Sequence, residues 1–543
     1  MKKHNIVKVV LITLLVFLLL SWIFPAAYYS GQYVDQGRTQ MGLFDLFNYP
    51  LTALSYFGYI SLYIILVGGF YGILYKIPAY RTFLDRIVKS FENKKALFIS
   101  LVVILFAFAV SICGLQIVLL FFVPLVVSVI LLLGYDKMVA AMAIIGSIAV
   151  GVAGSTYSYS NANMLLSTLS LKLDYQIGVR FVILIVGIAL VIFNTLMYSK
   201  QSGKLKVEKV ALNKKEDEEE IVVEEVKPTT KSSNSTSKTS SNKTTSKKSG
   251  NNSKSSSKKS TKSSKSHKSD NKAALKDGDY IVAKGNDTND YLIPGSVDKD
   301  HKIWPFVVGF TLMFILLVLS FLTWGENGLK ITLFDDITKA VTEYKLFGFP
   351  LFGKLLGTIN SFGNWTLGDL TFPIMLYVIL LAIIYKVSLD DVFDGFAEGV
   401  KKSLAPAFVA ILIYSGLVIV TYHPFQLVLY KAILGWTKGF NIITTCIVAI
   451  LSSIFNSDIA YSVQSVMPYY ITVVTKTAKY PFVALIYQSM YGFTMLFAPT
   501  GLVLMSVLSY LGIGYGQWLK NVWKLLLELF IVLLIIFIIL AAM

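Results

Sequence analysis

Asn456, Ser457 and Asp458 follow one another inside one of the most apolar parts of the chain, the stretch "SSIFNSDIAYSVQSVMP" from Ser452 to Pro468. A carboxylate, an amide and a hydroxyl in that setting can ligate a hard cation, carry a proton, or balance the ammonium group of a substrate. A carboxylate near the bilayer centre costs about 2.5–3.5 kcal/mol on insertion scales, so it is retained where it faces a cavity. The plain alternative is that the preceding helix ends at an interface and Asp458 caps the next one. Uncharged donors and acceptors recur elsewhere: Ser111 and Gln116 in "SICGLQ", then Ser155, Thr156, Ser158 and Asn161 in "GVAGSTYSYSNAN" (151–163). Thr500 stands beside Pro499 in "GFTMLFAPTG" (492–501), where the proline frees a carbonyl. Hydroxyl residues in membrane helices also bond back to their own helix, which is the plain reading of the serines and threonines. These residues are the candidates for holding a substrate or a coupling ion, with Asn456 and Asp458 the place for Na+.

No catalytic constellation stands beside them. His4, His267, His301 and His423 are scattered, and Cys113 and Cys446 both lie in apolar segments, so neither a metal cofactor nor a disulfide framework is indicated. The "GVAGST" stretch lacks the lysine and the strand-to-helix context of a phosphate loop.

The elements that must position these groups are membrane helices. The 543 residues are 55% hydrophobic, mean hydropathy is +0.65, and apolar runs long enough to cross a roughly 30 Å hydrocarbon layer recur throughout. The net charge of +17 lies in one low-complexity insert and beside the spans, which points to orientation in the membrane and away from nucleic acid. The opening segment imitates a secretory signal, but its apolar run from Ile6 to Pro25 can span and is read as a retained helix.

Two membrane halves, 1–199 and 304–543, flank an insert, 200–303. The insert's centre, Lys227 to Lys268, is almost entirely Lys, Ser, Thr and Asn and is expected to be disordered. "KKEDEEEIVVEEV" (214–226) reads as a solvated acidic run, and "GDYIVAKGNDTNDYLIPG" (278–295) as a small hairpin or nothing. Spans are expected at 6–25, 55–75, 96–112, 117–134, 138–157 and 177–198, and again at 304–324, 370–386, 405–421, 441–455, 460–475, 482–508 and 523–542. If 96–134 and 441–475 are re-entrant hairpins, about nine spans remain, and the basic clusters, the N-terminus and the insert all face the cytoplasm of a cell-membrane protein.

An internal repeat supports that arrangement. One ungapped offset of 344 residues pairs Pro124 with Pro468, Gly154 with Ala498 and Thr156 with Thr500, and sets "SICGLQ" on "FNSDIA". The span at 405–421 has no partner in the first half and inverts everything after it. The fold class expected is therefore an all-α polytopic membrane protein of two inverted repeats, each with a re-entrant hairpin and a discontinuous transmembrane helix. Broken helices leave backbone groups unpaired, and these bind ions and carboxylates where they line a watery cavity.

The order "VGGFYGILYK", a basic amphipathic helix, "FVPLVVSVILLLGYDK", "GVAGST" and "APTGLVLMSVLSYLGIGYGQWLK" resembles the anaerobic C4-dicarboxylate, short-chain fatty acid and basic amino acid carrier family of the ion transporter superfamily. The resemblance covers both membrane halves and leaves out the insert. It implies a secondary carrier for a small carboxylate-bearing metabolite, alternating access, coupling to Na+ or H+ or exchange, and a homodimer. The superfamily's hairpin tips often carry a Ser-Asn-Thr type signature; here the tips read "SICGLQ" and "NSD" instead. Two rival readings are an amino acid or peptide carrier, in which Asp458 pairs with an ammonium, and a non-transporting sensor or scaffold served by the insert.

Overall fold

The computed structural model describes residues 5–201, 207–211, 279–283, 292–297, 299–326, 328–437 and 439–542. The chain is a mostly helical polytopic membrane protein, expected as all-α, with two small two-stranded sheets besides its helices among the described residues. Seven described helices are long and apolar enough to cross a bilayer, and shorter apolar helices lie among them. Met1–Glu208 and Val282–Met543 form one compact unit, and Lys209–Ile281 is a second. The Lys/Ser-rich centre of the insert and its acidic run lie outside the described residues.

Each half holds a hairpin followed by a broken helix. The first hairpin descends as Lys95–Cys113 and stops at Gly114, whose φ of +74° is in the left-handed region. An added Cβ there would stand 2.0 Å from Ser160 Oγ, so the tight turn requires glycine. The chain returns through a 3-10 turn, Val118–Phe122, and the helix Val123–Leu132. Asp136 then caps Lys137–Ala153 by accepting from Val139 N at 2.9 Å, the helix breaks over 154–158, and Ser158 caps its resumption, Tyr159–Leu169. In the second half Asn441 caps Ile442–Phe455, the tip occupies 456–458, and Asp458 caps Ile459–Val473. Tyr480–Thr494 breaks at 495–501 and resumes as Leu502–Leu511.

The broken helices cross each other running in opposite directions. Gln488 Nε2 donates to Ser155 O at 2.9 Å, Ser489 Oγ donates to Ala153 O at 3.1 Å, and a Cβ on Gly492 would stand 2.6 Å from Ala149 O. Rising numbers on one meet falling numbers on the other, which is the inverted relation of the two repeats.

A pair of long antiparallel helices, Asp45–Leu74 and Leu389–Tyr422, braces this core. Their backbones nearly touch: a Cβ on Gly72 would lie 2.0 Å from Gly395 O, and one on Gly399 2.0 Å from Gly68 O. Small residues permit such approach where the hydrophobic effect cannot drive helices together. Further along, Ser61 Oγ donates to Ala407 O at 3.0 Å and Phe57 stacks on Tyr414 at 4.3 Å between centroids.

Several boundaries differ from expectation; the spans expected to begin at 55 and 523 begin at Asp45 and Tyr515. The span expected at 405–421 begins at Leu389, because Ser388 caps the amphipathic segment and no glycine or proline turn separates it from the apolar one. The span expected to end at residue 157 has a second limb to Leu169, whose polar first turn hid it. A β-hairpin, Ala26–Ser30 with Gln32–Gly37 turning at Gly31 (φ +69°), follows the first helix. That first helix, Asn5–Ile23, buries Val10, Leu14 and Phe17, and Phe17 meets Phe425 and Phe455.

The end of the insert also differs. Asp279–Ala283 pairs with Val207–Ala211 in a two-stranded sheet rather than forming a local hairpin. Beyond it, Leu292 is fully buried: its carbonyl accepts from Ser128 Oγ on the first hairpin and from Tyr75 OH, while Arg81 Nη1 donates to Pro294 O at 2.8 Å. Arg81 thus anchors this segment. Deleting 212–278 leaves these contacts in place and is expected to preserve both melting temperature and uptake. Leu292→Asp, which buries an unpaired carboxylate, is expected to cost about 2–5 kcal/mol. Uptake retained on the deletion, measured in proteoliposomes, would count against the scaffold reading; uptake lost would mean that the insert serves transport.

Candidate binding cavity between the hairpin tips

A small cavity of about 20 Å³, room for a water or so, lies where the two tips meet the second break. Gln116 and Ile117 reach it from the first tip, Ser457 and Asp458 from the second, and Thr500 and Gly501 from the break.

The second tip is built so that its oxygens stay available. Asp458 Oδ1 accepts from Ala460 N at 2.8 Å, so the capping role is real, yet the same side chain forms part of the cavity wall. Among the described residues no Lys, Arg or His forms an ion pair with it. Ser457 Oγ is buried without a hydrogen-bond partner, while Ser457 O accepts from Tyr491 OH at 2.9 Å. Thr500 Oγ1 donates to Ile454 O at 2.6 Å and so satisfies the carbonyl end of the hairpin arm. Pro499, just before it in the break, has no N–H to return to Met495. Helix Leu502–Leu511 starts at Gly501 with no side-chain cap, and Leu502 and Val503 of its first turn line the cavity. Uncapped N–H groups and the helix dipole together make that wall electropositive.

The first tip contributes less to the wall. Gln116 Nε2 donates to Asn161 Oδ1 at 3.4 Å, leaving Gln116 Oε1 and Asn161 Nδ2 buried and unpartnered. Ser111, Ser155, Thr156 and Ser158 are buried and knit the first break to the hairpin, without lining the cavity. Ser111 Oγ donates to Gly154 O at 2.9 Å, Thr156 N donates to Ser111 O at 2.8 Å, and Ser155 Oγ lies 3.4 Å from the same carbonyl. Ser158 caps the second limb through Asn161 N. Asn456 turns into its own hairpin, donating to Ser452 O at 3.0 Å. The repeat shows in these contacts: Thr156 meets Ser111, and Thr500 meets Ile454, at nearly equivalent places.

Tyr414, Tyr491 and Met495 also line the cavity and were not anticipated. Nothing in the sequence separates them from the other aromatic and sulfur side chains of apolar helices. Arg180 was missed as well. It is fully buried and donates to Ser155 O at 2.6 Å, in the carbonyl cluster of the first break.

Residues 34–241 match the family model described as C4-dicarboxylate anaerobic carrier (DcuC), the family that the motifs resemble. Among curated proteins none matches the chain. Among solved structures, the YdaH transporter of Alcanivorax borkumensis, whose crystal structure is described as revealing an unusual topology, is similar over 98% of this chain and 97% of its own. Identity is 12% and the TM-score 0.34.

Proposed function

We propose that this membrane carrier moves a four-carbon dicarboxylate, or a closely related small carboxylate, by alternating access driven by a cation gradient or by exchange. The observation that carries the reading is that Gln116 of one tip and Asp458 of the other border the same cavity as an uncapped helix N-terminus. The N–H groups of Leu502 and Val503 suit a substrate carboxylate. Asp458, facing that anion across a small space, needs a proton or a cation such as Na+ between them, and this need couples the two. Ser457 Oγ and Gln116 Oε1, which have no hydrogen-bond partner in the protein, are the polar atoms left for the substrate or the ion. Closing one tip and opening the other exposes the site to alternate sides. The cytoplasmic placement of the N-terminus and insert, and a homodimer, are parts of the same proposal.

The test is counterflow in proteoliposomes loaded with unlabelled succinate and supplied with labelled succinate, competing with butyrate, arginine or fumarate, in sodium and in choline. Exchange competed by fumarate and not by arginine is expected. Exchange supported by arginine alone would replace this reading with that of an amino acid carrier, in which Asp458 holds the ammonium group.

A further inference from the structure

The two breaks are satisfied by unlike groups. At the first, one guanidinium serves four backbone carbonyls: Arg180 Nε donates to Ser155 O at 2.6 Å, Nη2 to Thr156 O, and Nη1 to Leu173 O at 2.6 Å and Tyr175 O at 2.9 Å. Ser155 and Thr156 follow the C-terminal end of Lys137–Ala153. Leu173 and Tyr175 follow the C-terminal end of Tyr159–Leu169. Arg180 therefore sits where the negative ends of two half-helices converge. Its guanidinium also lies over the Tyr175 ring, 4.3 Å from the centroid. Among the described residues no carboxylate is within ion-pairing distance of it.

At the second break the freed carbonyls are met by neutral donors. Arg180 is the fourth residue of helix Ile177–Gln201, which follows the first broken helix; Trp518 is the fourth of Tyr515–Ala542, which follows the second. Trp518 Nε1 donates to Leu496 O at 2.8 Å and Tyr515 OH to Phe497 O, both carbonyls within the second break. The half with neutral caps is the half that carries Asp458. The half with the charged cap has no acid at its tip, which reads "SICGLQ".

We propose that Arg180 is a built-in cation, filling the carbonyl cluster at the first break so that this half takes no mobile ion and ion coupling is confined to the Asp458 side. A buried cluster of carbonyls oriented by two helix ends must be met by positive charge or by donors. A guanidinium, with its planar set of five N–H groups, meets it permanently. Arg180 is thus a positioning residue for the first break, and the inference about coupling rests on the carrier reading above.

The charge role is tested without transport. In the Asp458→Asn background, which removes the cavity's own acid, Arg180→Gly and Arg180→Lys are compared by thermal melting in choline chloride and in millimolar guanidinium chloride at matched ionic strength. Arg180→Gly is expected to melt well below its parent in choline and to recover by a saturable shift of several degrees in guanidinium. Arg180→Lys, which keeps the charge and loses the fork, is expected to fold and to ignore guanidinium. Parent-like melting of Arg180→Gly in choline, or no recovery in guanidinium, would overturn the proposal. If Arg180→Gly yields no folded protein in either salt, Arg180→Lys decides: folded protein supports a charge requirement, and equal loss refutes it. In otherwise native protein, cation activation of succinate uptake should follow a Hill coefficient near one; a value near two would refute confinement to one side. The melting arm stands even if succinate is not carried.

Discussion

Asp458→Asn is expected to abolish cation-dependent uptake while leaving the protein folded. The substitution separates the two roles that the geometry gives this side chain. As a helix cap, Asp458 supplies one acceptor to Ala460 N. Asparagine caps about as well as aspartate, so stability should change by only a few tenths of a kcal/mol. As a ligand it supplies charge: a unit pair about 4 Å apart at an effective dielectric of about 20 is worth about 4 kcal/mol, or roughly a thousandfold in cation affinity. Uptake as a function of sodium or proton concentration should therefore flatten, while melting and elution from a sizing column stay unchanged. Asp458→Ala is the informative contrast, because it removes both roles and should lose about 1 kcal/mol of stability as well. If Asp458→Asn keeps the native ion dependence, the carboxylate is a cap alone and the coupling assignment falls.

The residues that were legible in the sequence are those with few physical explanations. An acid amid apolar helices, as at Asp458, either faces a cavity or ends a helix, and it does both. Both breaks could be located because glycine, serine and proline interrupt runs that are otherwise uniformly apolar. Arg180 was illegible for the opposite reason. A basic residue at the head of an apolar helix ordinarily marks the membrane interface, and only the fold shows this one turned inward onto carbonyls. Tyr414 and Tyr491 were hidden because aromatic residues at helical spacing read as core. The polar candidates of the first half divided by direction: Gln116 faces the cavity, whereas Ser111, Ser155 and Thr156 use their polarity to hold the break together. Composition can flag such groups, but the direction in which each points depends on the crossing of helices far apart in sequence.

That crossing sets the second large effect: Gly492→Ala is expected to lose folded protein, and Gly492→Val to lose it almost completely. A Cβ at residue 492 would stand 2.3 Å from Ala153 N, a backbone atom with no rotamer to give way. Nor can the opposing strand of contacts relax easily, because Gln488 binds Ser155 O while accepting from Tyr175 OH at 2.6 Å, and Arg180 holds Ser155 O from the other side. Forcing the helices apart would leave several of these buried groups unpaired, at about 1–3 kcal/mol each, beyond the usual overpacking cost of about 1–3 kcal/mol. Gly516→Ala, in the first turn of Tyr515–Ala542, is the control: its Cβ meets nothing within 4 Å, and alanine is the better helix former, so melting should hold or rise slightly. Melting of purified protein in detergent, with sizing-column profiles of solubilised membranes, reads the difference. Native melting in Gly492→Ala would mean that the two broken helices do not meet as closely as described, and the shared cavity in front of them would lose its support.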